Sequence, residues 1–285
     1  MISNLKEEIL KASKVPGTVI GFNIFGFEDA KAVIEAGEEL EYPVALMLNK
    51  LATKHLPIES WAGLLLPLVK NAKIPVSLHL DHCQDFETIV KAIHSGFSSV
   101  MFDGSQYPLE KNIKLTKEIV KIAKCFNVSV EGEIGSVPYA DIPGAAKDMT
   151  TSVYEAKRFA EESGIDWVAV AVGQVHRLRG SKSRINFERL KELEEALNIP
   201  MVIHGGSGID ETDLKKLVSG KVSKMNYGTG LRVAFGESLK KSVEDNPEEF
   251  DRLILFENSQ LAVKETAKEI INNLKAKEKL YYENN

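Results

Sequence analysis

Short runs of apolar, largely β-branched residues alternate along this chain with longer stretches of helical period. The runs fall at 18–24 (TVIGFNI), 43–48 (PVALML), 75–80 (PVSLHL), 99–103 (SVMFD), 128–133 (VSVEGE), 167–172 (WVAVAV), 200–204 (PMVIH) and 221–226 (KVSKMN). Several are apolar at nearly every position, as expected of strands covered on both faces in a parallel sheet. Between them lie FEDAKAVIEAGEEL, PLEKNIKLTKEIVKIAK, SVYEAKRFAEES and NFERLKELEEAL, which read as helices. Eight strands alternating with helices predict an α/β protein of the (β/α)8 TIM barrel type, with an open doubly wound sheet as the structural rival. No low-complexity linker, composition shift or strict repeat divides the chain. Residues 1–285 are therefore expected to form a single barrel domain with a C-terminal helical extension. The last helical stretch, SQLAVKETAKEIINNLKAKEKL, is expected to pack outside the barrel or against a second subunit.

The length of 285 residues suits this architecture, because such barrels of about 250 residues run as single domains. A net charge of −5 gives no global reason to bind nucleic acid or an anionic membrane surface, although a local basic cluster for a small anion stays compatible with it. Two cysteines, Cys83 and Cys125, cannot build a disulfide framework. The N-terminal stretch MISNLKEEILKASK lacks the apolar core of a signal peptide, and no run approaches the roughly 18 apolar residues of a membrane span. A cytoplasmic location follows as the expectation.

Barrel enzymes build their sites at the C-terminal ends of strands and in the loops that follow. The six histidines are His55, His79, His82, His94, His176 and His204. His82, His176 and His204 fall at or just past the ends of strands that would converge on one rim. Three neutral imidazoles with an open fourth position are a catalytic zinc arrangement. His79 precedes Asp81 by two and so shares its strand face; it is expected to orient the site. His94 lies in a helical pattern, and His55 is left without a role. The turn Gly205-Gly206-Ser207-Gly208 exposes backbone N–H groups just before a helix, a suitable place for phosphate, and loops after strands seven and eight often serve that purpose in barrels. Thr229 can add a hydroxyl. Asp81, Glu131 and Glu133 supply carboxylates that can move a proton on a metal-bound substrate. For Glu131 the alternative is a carboxylate tied to backbone groups or to a bound monovalent ion.

Taken together, His79-Leu-Asp-His82, Val130-Glu-Gly-Glu-Ile-Gly135, Ala171-Val-Gly-Gln-Val-His176, His204-Gly-Gly-Ser-Gly-Ile209 and Lys224-Met-Asn-Tyr-Gly-Thr229 resemble the class II, metal-dependent fructose-bisphosphate and tagatose-bisphosphate aldolases. Phe22-Asn23 and Phe97-Ser-Ser-Val-Met-Phe-Asp-Gly-Ser105 add to the likeness, which runs in order through almost the whole chain. The resemblance implies one catalytic Zn²⁺ per subunit held by His82, His176 and His204, with Glu133 near an alternative resting position, and it leaves room for a monovalent cation. It implies that Asp81 is the acid/base on the C4 hydroxyl, that Asn23 and Asn226 hold substrate or enediolate, and that Gly205, Gly206, Ser207, Gly228 and Thr229 surround the phosphate of a dihydroxyacetone-phosphate half. It also implies a homodimer or homotetramer acting on a small sugar phosphate.

The departures from that family are local. The usual Gly-x-x-His-Gly-x-Tyr segment reads Gly173-Gln-Val-His176-Arg177-Leu-Arg179 here, so two arginines enter the anion-binding rim, where a guanidinium can clamp an anion bidentately. A Gln-Ala-Ser-Glu-Gly-like segment is replaced by Met47-Leu-Asn49-Lys50-Leu51, placing Asn49 and Lys50 beside the substrate. The loop after the fifth strand, Ser136-Val-Pro-Tyr-Ala-Asp-Ile-Pro-Gly144, carries Asp141 as its single acid and candidate second proton-transfer residue. These changes predict a substrate with a second anionic group at its far end. Three alternatives remain at this level: a non-catalytic sugar-phosphate partner or sensor, an epimerase or isomerase using the same enediolate chemistry, and aldol chemistry through a lysine Schiff base.

Overall fold

In the computed structural model, residues 2–140, 150–178, 181–276 and 279–280 are described. Eight parallel strands pair in chain order: β1 (Val19–Asn23), β2 (Val44–Leu48), β3 (Val76–Cys83), β4 (Ser99–Phe102), β5 (Ser129–Ile134), β6 (Trp167–Val170), β7 (Met201–Ile203) and β8 (Val222–Tyr227). The pairing of Ile20 with Met225 and Gly21 with Asn226 joins β1 to β8 and closes the barrel. That closure confirms the TIM barrel and rules out the open sheet.

The helices among the described residues are α1 (Lys6–Ala12), α2 (Phe27–Glu39), α3 (Lys50–His55), α4 (Ile58–Asn71), α5 (Phe86–His94), α6 (Leu109–Cys125), α7 (Val153–Ser163), α8 (Phe187–Ala196), α9 (Glu211–Val218), α10 (Thr229–Asp245) and α11 (Arg252–Leu274). Many start on a residue whose side chain accepts a backbone N–H of the first turn, which satisfies a group the helix itself leaves unpaired. Asp85 does this for α5, Asn186 for α8, Asp210 for α9 and Asp251 for α11. The first segment closes the end where the strands begin: Ser3 N–H donates to the carbonyl of Val76 at 2.9 Å, and Leu5 and Ile9 are buried. The final helix starts at Arg252, earlier than the apolar period suggested, and packs outside the barrel against α2 and α10.

Strand interiors and the inner helix faces bury Phe22, Trp61, Phe97, Phe102, Phe159 and Trp167. This apolar shell makes the barrel wall rigid, so that polar side chains at its upper end are held by packing. One irregularity shapes the site. The β3–β4 register shifts between Leu80 and Cys83, and His82 has a left-handed φ of 49°. A bulge breaks the in–out alternation of a strand and re-aims a side chain. Here it lets the consecutive residues Asp81 and His82 both serve the mouth of the barrel.

Candidate active site

A cavity of about 310 Å³ opens at the C-terminal ends of the strands, and its lining includes Asn23, Asp81, His82, His176, Ser207 and Asn226. Beneath and beside it stand the three histidines. The ring of His82 lies 5.0 Å from that of His176 and 4.6 Å from that of His204, and His176 and His204 are 5.9 Å apart. One ring nitrogen from each falls within 4.8 Å of the others. His176 Nε2 and His204 Nδ1 are buried and have no hydrogen-bond partner, while His82 Nδ1 is turned toward the carboxylates of Glu133 and Asp103. Buried ring nitrogens are normally paired, so two orphans within a cluster of three close imidazoles fit a divalent ion taking nitrogen ligands. Burial, reinforced by His82 and His204, holds His176 well below the ordinary imidazole pKa, leaving its ring neutral as a ligand must be.

His82 sits among acids. Its Nδ1 is 3.3 Å from Oε2 of Glu133 and 3.6 Å from Oδ2 of Asp103. Burial alone would depress its pKa, but Asp81, Asp103 and Glu133 outweigh burial and raise it well above the usual value. The trio His82, Asp103 and Glu133 forms a second cluster with ligand atoms close enough for a metal, sharing His82 with the first. Glu133 is buried, and burial with the neighbouring Asp103 raises its pKa.

Asp81 is buried at the cavity floor. Asn23 donates to its Oδ2 at 2.8 Å and Asn226 to its Oδ1 at 3.3 Å, so β1 and β8 hold the carboxylate at the end of β3. Burial works against charge there, but the nearby His82, His204, His79 and Lys224 win and keep the carboxyl below its usual range.

Below this level lies a buried polar layer. Glu131 accepts from Trp167 Nε1 at 2.8 Å, from His204 Nε2 at 2.8 Å and from Lys224 Nζ at 2.7 Å. The partners are thus side chains, where the sequence suggested backbone groups or a bound monovalent ion; the positive charge beside Glu131 is an ammonium. His79 is fully buried, shares a hydrogen bond between its Nδ1 and the Ser99 hydroxyl, and has its pKa pushed down to about 3 chiefly by burial. His94 and His55 are exposed at the ends of α5 and α3.

The phosphate side is built from β7 and β8. Gly205 adopts a left-handed φ of 70°, and Gly206–Gly208 form a 3-10 turn. Gly206 faces Tyr227, whose ring would stand 2.5 Å from an added Cβ, so it shapes the turn from behind. Gly205, Ser207, Gly228 and Thr229 line the cavity itself. Gly230 N–H, in the first turn of α10, donates to Ser207 Oγ at 3.2 Å, and Lys182 Nζ donates to Ser207 O at 3.1 Å. The hydroxyls of Ser207 and Thr229 and the N-terminus of the 17-residue α10 meet at the cavity here, which favours an anion.

Further cations ring the mouth: Lys50, Lys54, Arg177 and Arg232 all line the cavity. Arg177 has a left-handed φ of 55°. Its guanidinium carbon lies 5.0 Å over the ring of Tyr139, which in turn stacks on His176 at 4.6 Å. The segment carrying Tyr139 is tied to β6's loop by His176 N–H to Pro138 O at 2.8 Å and Ala140 N–H to His176 O at 3.0 Å. Asn49 also lines the cavity, while its Oδ1 caps α3 by accepting from Leu51 and Ala52. Asp141 and Arg179 lie outside the described residues.

Sequence reasoning assigned no role to Asp103, Tyr139, Lys182, Lys54, Arg232 or Lys224. One signal was present for Lys224: a lysine inside an apolar strand run is buried only when paired. The others sit on loops and helices whose approach to the site depends on tertiary packing.

Residues 3–279 match the family described as fructose-bisphosphate aldolase class-II. A sulfofructosephosphate aldolase of Alkalicoccus urumqiensis is 35% identical over 80% of this chain and 81% of its own. A fructose-bisphosphate aldolase of Helicobacter pylori is 34% identical over 94% of this chain and 96% of its own. The crystal structure of the YdjI aldolase from Escherichia coli K12 superposes with a TM-score of 0.84 at 29% identity, covering 99% of this chain and all of that one. The barrel, the strand-end histidines and these matches agree: the chain belongs to the class II fructose-bisphosphate aldolase family and is an aldolase, a carbon–carbon lyase.

Proposed function

We propose that the protein is a Zn²⁺-dependent aldolase that cleaves and forms a ketose phosphate, giving dihydroxyacetone phosphate and an aldehyde, and that the far end of its substrate carries a second anionic group. The observation that carries this reading is the meeting of three imidazoles, one ring nitrogen of each within 4.8 Å of the others, beside the buried carboxylate of Asp81. His82, His176 and His204 would hold the ion. When bound, Zn²⁺ supplies a Lewis acid for the substrate ketone and for the enediolate charge that develops as the C3–C4 bond breaks.

The chain's own groups do the rest. Asp81 takes the proton from the C4 hydroxyl, and the amides of Asn23 and Asn226 keep its oxygens in place. Ser207, Thr229 and the backbone around Gly205 and Gly228 hold the phosphate of the three-carbon half, with Lys182 beside them. Arg177, with Lys50, Lys54 and Arg232, raises the positive potential at the mouth and favours an anionic tail. Arg179 and Asp141 belong to the same proposal, as tail-binding residue and second proton-transfer acid. The similar chains named for fructose bisphosphate and for sulfofructose phosphate are consistent with a doubly anionic ketose.

We read residues 1–285 as one barrel domain with a C-terminal helical extension, and the protein as a cytoplasmic homo-oligomer. Among the described residues no helix is long and apolar enough to cross a membrane, while exposed Phe250, Leu253 and Ile254 offer apolar surface for a second copy.

The test incubates purified protein with ketose 1-phosphates bearing a phosphate, sulfonate, carboxylate or neutral far end, and measures dihydroxyacetone phosphate. Cleavage should stop on chelation and return with Zn²⁺. Full activity after exhaustive metal removal ends the zinc reading. Binding without turnover across the panel identifies a sensor, and an epimeric ketose as product identifies an epimerase.

A further inference from the structure

The Glu131 cluster lies under the cavity and none of its members touches substrate space. Glu131, Lys224, His79 and His204 are all at most 1% exposed, and of these only His204 belongs to the metal-facing set. A buried carboxylate accepting from three donors is expensive to build unless it is fully paired, which this one is. Its Oε1 takes His204 Nε2 at 2.8 Å, while Oε2 takes both Trp167 Nε1 and Lys224 Nζ. A carboxylate can only accept, so the proton in the first of these contacts sits on His204 Nε2. A neutral imidazole has one N–H. In the neutral form that a metal ligand must take, His204 Nδ1 is therefore the bare nitrogen, and it is buried with no hydrogen-bond partner.

We infer that Glu131, anchored by Lys224 and Trp167, is a positioning residue that sets the tautomer and ring orientation of His204 and so aims its Nδ1 at the metal. The inference rests on the three-histidine reading of the metal centre. Lys224 keeps the carboxylate from being an unpaired buried charge and, in contact with it, is turned away from any role as a Schiff-base lysine. Trp167 fixes the second oxygen from the neighbouring strand β6, paired in register with Glu131. His79 stands 4.0 Å from Oε2 and completes the layer through Ser99.

The experiment uses the full chain labelled with ¹⁵N-histidine, with the His204 signals assigned from their loss in His204→Ala. In the metal-free wild type His204 should carry its proton on Nε2 and none on Nδ1; a proton on Nδ1 overturns the proposal. Zn²⁺ affinity is then measured by competition with a chromophoric chelator. Glu131→Gln should weaken it about 10- to 100-fold, the range for loss of a group that orients a metal-binding histidine, with the circular dichroism of the barrel unchanged. Because that variant strands the Lys224 ammonium, Glu131→Gln/Lys224→Met is measured beside it as the version without buried net charge. Wild-type affinity in the folded double variant sinks the positioning role. Should both variants fail to fold, the wild-type tautomer decides alone. If His204→Ala binds Zn²⁺ like the wild type, the three-histidine reading itself has failed, and the inference falls with it for that separate reason.

Discussion

The amide of Asn23, the last residue of β1, donates to Oδ2 of Asp81 at 2.8 Å, while Asp81 itself stands at the irregular end of β3. The carboxylate is thus aimed by a strand two positions away around the barrel. Asp81→Asn keeps the size of the side chain but presents an amide to two amide donors and removes the base. We expect kcat to fall by about 10² to 10⁴, the usual worth of a positioned acid–base group, with bound zinc unchanged because all three histidines remain. Activity assays paired with metal analysis check both halves; near-normal kcat would remove Asp81 from the reaction.

Arg177 should trade stability for recognition. A non-glycine residue at φ 55° costs about 1 kcal/mol relative to glycine. Arg177→Gly is expected to raise the urea midpoint while lowering kcat/KM for ketoses with an anionic far end more than for neutral ones. Equal losses on both substrate types would show that the guanidinium does not read the tail.

Gly206→Ala tests the turn on the phosphate side. A methyl group there would stand 2.5 Å from the buried ring of Tyr227. Overpacking of this kind costs about 1–3 kcal/mol, and relaxation would push the Ser207 turn toward the cavity. Denaturation midpoints should fall and KM for the phosphorylated substrate should rise. An unchanged KM would separate the turn from phosphate binding.

Asp29 supplies a pH signature outside the cavity that holds His82 and His176. It accepts the Phe25 N–H at 2.8 Å, and burial pushes its pKa up to about 6 from an ordinary 3.8. Between these values the folded state holds a proton that the unfolded chain releases, so the stabilising contribution is present at low pH and is lost as pH rises toward 6 and beyond. Asp29→Asn keeps the acceptor and removes the titration. Relative to the variant, the wild type should lose stability between pH 4 and 6 with a slope of at most about 1.4 kcal/mol per pH unit. Parallel stability curves for the two proteins would place the Asp29 pKa near its ordinary value.

The eight strands were legible because a parallel barrel buries both faces of each strand, which leaves a run of apolar residues visible without any partner. The histidine trio was legible for a related reason: in a barrel, function sits where such a run ends, and His82, His176 and His204 each mark an end. Asn49 shows the limit of this logic. Its position after β2 suggested substrate contact, and in the structure its carbonyl oxygen caps α3 even though the residue reaches the cavity. A cap and a ligand contact draw on the same residue types.

By itself, the sequence determined the barrel, its order of strands and the chemical class of its rim, because these follow from local period and from residue type at strand ends. Tertiary structure alone decided which atoms meet. The carboxylate of Glu131 behind His204, the pairing of Lys224 with Glu131 across the barrel and the stacking of Arg177 on Tyr139 all join residues far apart in sequence. No local pattern encodes such contacts, since each depends on barrel closure bringing separate strand ends within a few ångströms of one another.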